Sequence, residues 1–340
     1  GCESPSTAVT VTVNAIPSAP TATDPAPICE GDATPTLSAS GSGTLTWYSD
    51  ASLTTVIGAG TTLVPSSSVV DNTTAGTYTV YVTSTELSCE SPATAVTVTV
   101  NTEPSAPTAS DPAPICEGDA TPTLTATGAG TLNWYSDAAL MNLESTGASY
   151  TPGSTVVDNN TAGSYTVYVT DNISGCEGPA TAVTVTVNAI PSSPVASDPS
   201  PICENETIPT LTASASGTIR WYSDAALTTL ESTGASYTPG NTVVDNTTAG
   251  TYTVYVTNTV SGCESPSTAV TVTVNAIPSA PSATSPGAIC EGDATPTLTA
   301  TGSGTLTWYS DAALTTVIGA GTTLVPSSSV VDNTTAGTYT

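Results

Sequence analysis

The sequence predicts an all-β protein made of tandem sandwiches, and three observations predict it. The stretch Thr-Ala-Gly-Thr-Tyr-Thr-Val-Tyr-Val at 74–82 recurs at 161–169, at 248–256 and in cut form at 335–340, a period of 87 residues. Trp47, Trp134, Trp221 and Trp308 keep the same period, as do Cys29, Cys116, Cys203 and Cys290. Within the unit, apolar and polar residues alternate one for one, the two-residue period of a strand, and no segment has helical period. One repeat is therefore what has to be explained, four times over. Cutting after Asn14 gives whole repeats at 15–101, 102–188 and 189–275, a truncated one at 276–340, and the tail of a preceding repeat at 1–14. Ends that fall inside repeats read as a window on a longer polymer.

The elements follow in order along the first repeat. Asn14 to Pro27 carries four prolines and no long apolar run, so it reads as a stiff extended connector that becomes an edge strand. Cys29-Glu-Gly-Asp32 is a turn. Thr36 to Ser40 then places Leu37 and Ala39 on one face, and Thr44 to Tyr48 places Leu45 and Trp47 on one face with Thr44, Thr46 and Tyr48 on the other. A polar connection at 49–55 leads to short strands near Val56-Ile57 and at Thr61 to Val64, and Asp71-Asn-Thr-Thr is a turn. Thr77 to Thr83 sends Tyr78, Val80 and Val82 inward, and Thr94 to Val100 alternates Val with Thr. Outward Thr has a structural reason, since it is β-branched and polar. The predicted core aromatics are Trp47, Tyr78, Trp134, Tyr165, Trp221, Tyr252, Trp308 and Tyr339. Repeats one and four share Val-Ile-Gly-Ala-Gly at Val56 and Val317, whereas two and three share Glu-Ser-Thr-Gly-Ala-Ser-Tyr at Glu144 and Glu231.

Composition narrows the function. Arg220 is the only basic residue, His is absent, and 28 acidic groups give a net charge of −27. Such a chain offers no Lys/Arg surface to phosphate, which excludes nucleic acid and anionic membrane as partners of this segment. No run approaches the ~18 apolar residues of a membrane helix. Without His or Lys, the many hydroxyls have no common base, so the segment is not expected to be an enzyme. The same absence rules out a Lys-Asn isopeptide, and the lack of Gln rules out a thioester. Asn72-Thr-Thr74 and its counterparts match the N-x-S/T pattern, which arises readily in Thr-rich β sequence.

Trp47 on the third strand and Ala75-Gly-Thr-Tyr78 leading a later one resemble an immunoglobulin fold with its tyrosine corner. The usual inter-sheet cysteines are replaced by apolar residues such as Leu37 and Val80. The set Ile28-Cys-Glu-Gly, Trp47-Tyr48, Gly234-Ala-Ser-Tyr237, Gly262-Cys-Glu-Ser and Thr268 to Val274 resembles the Ig-like repeats of giant Bacteroidota surface adhesins, including gliding-motility adhesins exported by type IX secretion. The resemblance implies a bead-string rod of tandem immunoglobulin-like β-sandwiches on the outside of a cell, and it carries over no catalytic residue. The expected role is a structural stalk that displays a distal binding domain. Two alternatives are repeats that grip glycan or ice through Tyr48, Tyr81 and the Thr faces, and a filament that self-associates laterally.

Eight cysteines at two fixed positions per repeat argue for a disulfide framework in an oxidising compartment, over a zinc site with neither His nor C-x-x-C. Two pairings are open. Cys29 with Cys89, Cys116 with Cys176 and Cys203 with Cys263 would staple each repeat, at about 4 kcal/mol apiece. Against this, the two positions lie at opposite poles of an immunoglobulin-type sandwich, which points instead to Cys29 with Cys176 across a junction. The within-repeat pairing is the expectation, because the resemblance does not guarantee standard strand order. Cys2 and Cys290 then lack partners. No cofactor is expected. Calcium is a minor candidate, with Asp24, Glu30, Asp32 and Glu177 as hard oxygen ligands converging at a junction. The partners expected are neighbouring repeats of the same chain.

Overall fold

The computed structural model describes residues 1–340, and every regular element in it is β. The first repeat contains β1 (Thr21–Ala22), β2 (Ile28–Cys29), β3 (Leu37–Ser40), β4 (Thr44–Tyr48), β5 (Val56–Ala59), β6 (Thr62–Leu63), β7 (Gly76–Glu86), β8 (Cys89–Glu90) and β9 (Thr94–Asn101). The second repeats them as β10 (Thr108–Ala109), β11 (Ile115–Cys116), β12 (Leu124–Thr127), β13 (Thr131–Tyr135), β14 (Leu143–Thr146), β15 (Ser149–Tyr150), β16 (Gly163–Ile173), β17 (Cys176–Glu177) and β18 (Thr181–Asn188). The chain forms two compact units. Gly1–Ile190 holds these two repeats, and Pro191–Thr340 holds the third, from Val195–Ala196 to Thr268–Asn275, and the partial fourth.

Each whole repeat is a sandwich. A small sheet runs β1-β3-β6, and a large one runs β2-β9-β7-β4-β5 with β8 paired to β7. Only β2 and β9 pair in parallel; the other ladders of the repeat are antiparallel. This is standard immunoglobulin-like order, with β3 crossing to the large sheet through the Gly41-Ser-Gly43 break.

The alternation read from sequence sets the core. Leu37, Ala39, Leu45, Trp47, Val70, Val80, Val82, Val96, Val98 and Val100 form one buried cluster in the first repeat. Trp47, Trp134 and Trp221 are each 0 % exposed, and the indole N–H of each donates to the carbonyl of Gly60, Gly147 or Gly234 at 2.9 Å. That bond satisfies the one polar atom the ring would otherwise bury. Leu37 and Val80 fill the place of the usual inter-sheet cysteines and are fully buried. Tyr78, Tyr165 and Tyr252 are half-buried, and each hydroxyl donates back to the carbonyl of Thr74, Thr161 or Thr248.

Three expectations are corrected here. Tyr48 faces away from Trp47 yet is buried, because its hydroxyl is held by Glu90 at 2.8 Å. Trp308 is only half-buried, and Tyr339 is 41 % exposed, so neither is a core residue of the kind expected.

The two kinds of repeat also have a physical basis. A Cβ added at Gly58 would lie 2.7 Å from Leu63 Cδ1, and one at Gly319 would lie 2.6 Å from Leu324 Cδ1. Where Leu reaches over the strand, glycine is required beneath it. In repeats two and three Tyr150 and Tyr237 take the Leu position and turn onto Trp134 and Trp221, with ring centroids 5.7 and 5.8 Å apart. Ser145 and Ser232 then replace the glycine. The two positions change together because they share one volume.

A disulfide-locked junction as the candidate functional site

The chemistry of the chain gathers where the first repeat meets the second. Parallel pairing of β2 with β9 puts Cys29 beside Asn101, the last residue of the repeat. The turn after β2 is closed by its own groups. Cys29 N–H donates to the Asp32 carboxylate at 2.9 Å, Asp32 N–H donates to Cys29 O at 3.0 Å, and Gly31 takes φ +89°, a conformation that favours glycine.

Glu30 then ties three segments together. Its N–H donates to Asn101 O at 3.0 Å, while its carboxylate accepts Ala75 N–H at 2.8 Å and Glu103 N–H at 3.0 Å. Glu103 belongs to the connector of the next repeat, so one carboxylate fixes both the start of β7 and the exit of the chain. Glu117 does the same for Ala162 and Ile190, and Glu204 for Ala249 and Ile277.

From the second repeat, the hairpin between β16 and β17 turns at Ser174 and Gly175, with φ +53° and +89°, and presents Cys176. Cys29 and Cys176 are disulfide-bonded, with Cα atoms 5.6 Å apart. Asn101 Nδ2 donates to Ser174 O at 3.3 Å beside the bond. The connector is also pinned from its own repeat: a Cβ on Gly178 would come within 2.2 Å of Pro104 O, so the absence of a side chain lets Pro104 lie against the link between β17 and β18.

The within-repeat pairing is thereby overturned. Cys29 bonds Cys176, Cys89 and Cys203 are free along with Cys2 and Cys290, and Cys116 and Cys263 are each disulfide-bonded. The reason lies in β7. Its first residue, Gly76, pairs with Val100 next to β2, and its last, Glu86, pairs with Cys89. Eleven residues at ~3.3 Å each put Cys29 and Cys89 roughly 30 Å apart, against the ~7 Å a disulfide allows. The opposite-pole objection is therefore the one that holds.

Residues 1–14 meet the first repeat in the same manner. Asn14 Nδ2 donates to Leu87 O at 3.1 Å, and the Cys89 thiol points at Asn14 O at 3.7 Å.

The four acidic residues considered for calcium are each engaged by donors of the protein. Asp24 accepts Thr97 N–H at 2.7 Å, Glu30 and Asp32 serve the turn, and Glu177 accepts from Tyr135 Oη at 2.6 Å, from Thr170 Oγ1 and from Asn133 Nδ2 at 3.2 Å. No group of three or more acidic, Cys or His side chains converges in a way that could hold a metal ion. Burial pushes the Glu177 carboxyl up, but the bonds from Thr170, Tyr135 and Asn133 outweigh it and hold the group below the ordinary carboxylate range. Burial and the bond to Glu177 raise Tyr135 in turn.

Sequence reasoning missed the clamp by Glu30 and the anchor formed by Glu90 and Glu177. A signal was present: all eight cysteines are followed directly by Glu. After the first cysteine of a repeat that Glu holds the connector, and after the second it holds a buried Tyr.

A family model for the Ig-like domain CHU_C associated matches residues 17–101, 104–189 and 191–275. Among solved structures, the chain is similar to a Ca2+-stabilized adhesin that helps an Antarctic bacterium reach out and bind ice, at 18% identity and TM-score 0.35, over 84% of this chain and 82% of that one. It is also similar to part of a 1.5-MDa bacterial ice-binding adhesin, at 16% identity and TM-score 0.32, over 78% of this chain and 100% of that one. A third is immunoglobulin domains 1-5 of Sidekick-1, at 19% identity and TM-score 0.27, over 78% of this chain and 60% of that one. No curated protein matches in sequence.

Proposed function

Because this chain belongs to the family of CHU_C-associated Ig-like domains, we propose that it is a structural stalk segment of a long extracellular adhesin or filament, built to hold a distal binding domain away from the cell. The observation that carries the reading is the junction. Two successive repeats share a disulfide between Cys29 and Cys176, and Glu30 and Gly178 fix the connector from both sides. A molecule whose most constrained chemistry lies between repeats is organised to keep repeats in line.

Disulfides persist outside the cell and not in a reducing cytosol, which supports an extracellular setting. The net charge of −27 keeps neighbouring chains apart. We extend the proposal to a Bacteroidota cell surface, type IX export and a part in gliding motility on the strength of the sequence resemblance alone. The repeats act without cofactor and without catalysis, and their partners are the repeats before and after them.

A glycan array probed with the disulfide-intact chain tests this. A stalk gives no specific signal and stays monomeric in light scattering. Specific glycan retention, lost on Tyr81→Ala, would move the function onto the repeats themselves, and concentration-dependent oligomers would favour a lateral filament.

A further inference from the structure

The junction disulfide changes which part of the chain can feel tension. Without it, a pull along the chain would enter the first repeat through β1 and β2 and leave past Asn101 at the end of β9, the parallel neighbour of β2, shearing that ladder and then drawing out all that lies between. With it, a covalent path leaves the first repeat at Cys29 and enters the second at Cys176, 147 residues further on. Residues 30–175, which include every strand from β3 to β16 and the separately disulfide-bonded Cys116, are spanned by this path.

What then carries tension in the second repeat is β17 followed by β18, which leads straight to the next connector. β18 is an eight-residue strand, already extended at ~3.3 Å per residue, so there is little slack to draw out of it. It is also held along most of its length by β16.

We infer that the Cys29–Cys176 disulfide is a force bypass, passing tension from β1 and β2 through the sulfurs to β17 and β18, so that the β2–β9 ladder of the first repeat is not sheared. Its purpose rests on the stalk reading, although its geometry does not. Such a segment neither lengthens under load nor absorbs shock by unfolding.

Single-molecule pulling of the full chain, tethered at its two ends, tests the inference. In a Cys116→Ser/Cys263→Ser variant the bond between Cys29 and Cys176 is isolated. At full extension the non-reduced chain is expected to be shorter than the dithiothreitol-reduced one by roughly 500 Å, the 147-residue separation at ~3.4 Å per residue, with no unfolding steps from residues 30–175. Adding Cys29→Ser abolishes the difference, and the wild-type chain shortens at least as much. A shortening of roughly 200 Å, the length between Cys29 and Cys89, or equal lengths in both buffers, overturns the bypass. A specific glycan signal together with the 500 Å shortening would sink the stalk reading and leave the bypass standing.

Discussion

Replacing Cys176 with serine should cost far more than replacing Cys89, although the two occupy the same place in successive repeats. Cys176 closes a loop of 147 residues onto Cys29. On the chain-entropy relation a loop of that length contributes about 5 kcal/mol at 25 °C. Cys89 makes only a 3.7 Å thiol contact to Asn14 O, so its loss should cost less than about 0.5 kcal/mol. The assay is equilibrium urea unfolding of the full chain without reductant, followed by tryptophan fluorescence, since Trp47 and Trp134 are fully buried. With a slope of ~1–3 kcal/mol per molar urea, Cys176→Ser lowers the midpoint of the first two repeats by at least about 1.5 M, and Cys89→Ser leaves it within a few tenths. Equal losses in the two variants, or a greater loss for Cys89→Ser, would refute the reasoning, because that is what stapling within each repeat produces.

Three further outcomes are expected. The Asp50, Asp137, Asp224 and Asp311 carboxyls are held below the ordinary aspartate range chiefly by the N–H groups of Thr54, Met141, Thr228 and Thr315, and those of Asp71, Asp158, Asp245 and Asp332 chiefly by the hydroxyls of Thr73, Thr161, Thr247 and Thr334. A carboxyl depressed in the fold contributes stability that is complete above its unfolded value of about 4 and is lost as pH falls through the folded one, so the thermal midpoint should be flat from pH 7 to 5 and fall steeply below 4; a midpoint that rises on acidification would contradict this. Glu30→Ala removes two bonds to a carboxylate, worth about 2 kcal/mol together after allowing for the exposure of one, and should speed hydrogen exchange at the amides of Ala75 and Glu103, with Glu30→Gln restoring part of the protection at one of them. Gly178→Ala sets a methyl against the backbone carbonyl of Pro104 and should cost about 1–3 kcal/mol in denaturant unfolding, whereas Gly153→Ala, with nothing within 4 Å of the added Cβ, should cost little.

Much of the fold was legible because each strand declares itself locally. The alternation in Leu37–Ser40, Thr44–Tyr48 and Thr94–Asn101 placed the buried face correctly. β2 and β8 were harder, being two-residue elements whose strand character comes from a partner far along the chain. The disulfide was misjudged for a related reason. Cysteines at fixed positions in every repeat look the same whether they close a repeat or join two, and only the length of β7, read together with strand order, separates the poles. The acidic residues weighed as calcium candidates have a part in the fold that sequence alone does not show, because it does not reveal which backbone N–H groups a fold leaves unpaired. Asp24, Glu30 and Asp32 turn out to satisfy such groups. The two-type pattern around Gly58 and Ser145 became explicable only once Leu63 was seen to lie over Gly58 and Tyr150 to turn onto Trp134.

The central claim is that the first repeat is joined covalently to the second, and non-reducing peptide mapping by mass spectrometry tests it most directly. The 340-residue chain has one basic residue, so it is cut with a protease specific for acidic residues. The account predicts a cross-linked peptide joining the Ile28-Cys29-Glu30 segment to the Gly175-Cys176-Glu177 segment, with Cys89 recovered as a free thiol. A peptide joining Cys29 to Cys89 would contradict it and return the molecule to a string of independently stapled beads.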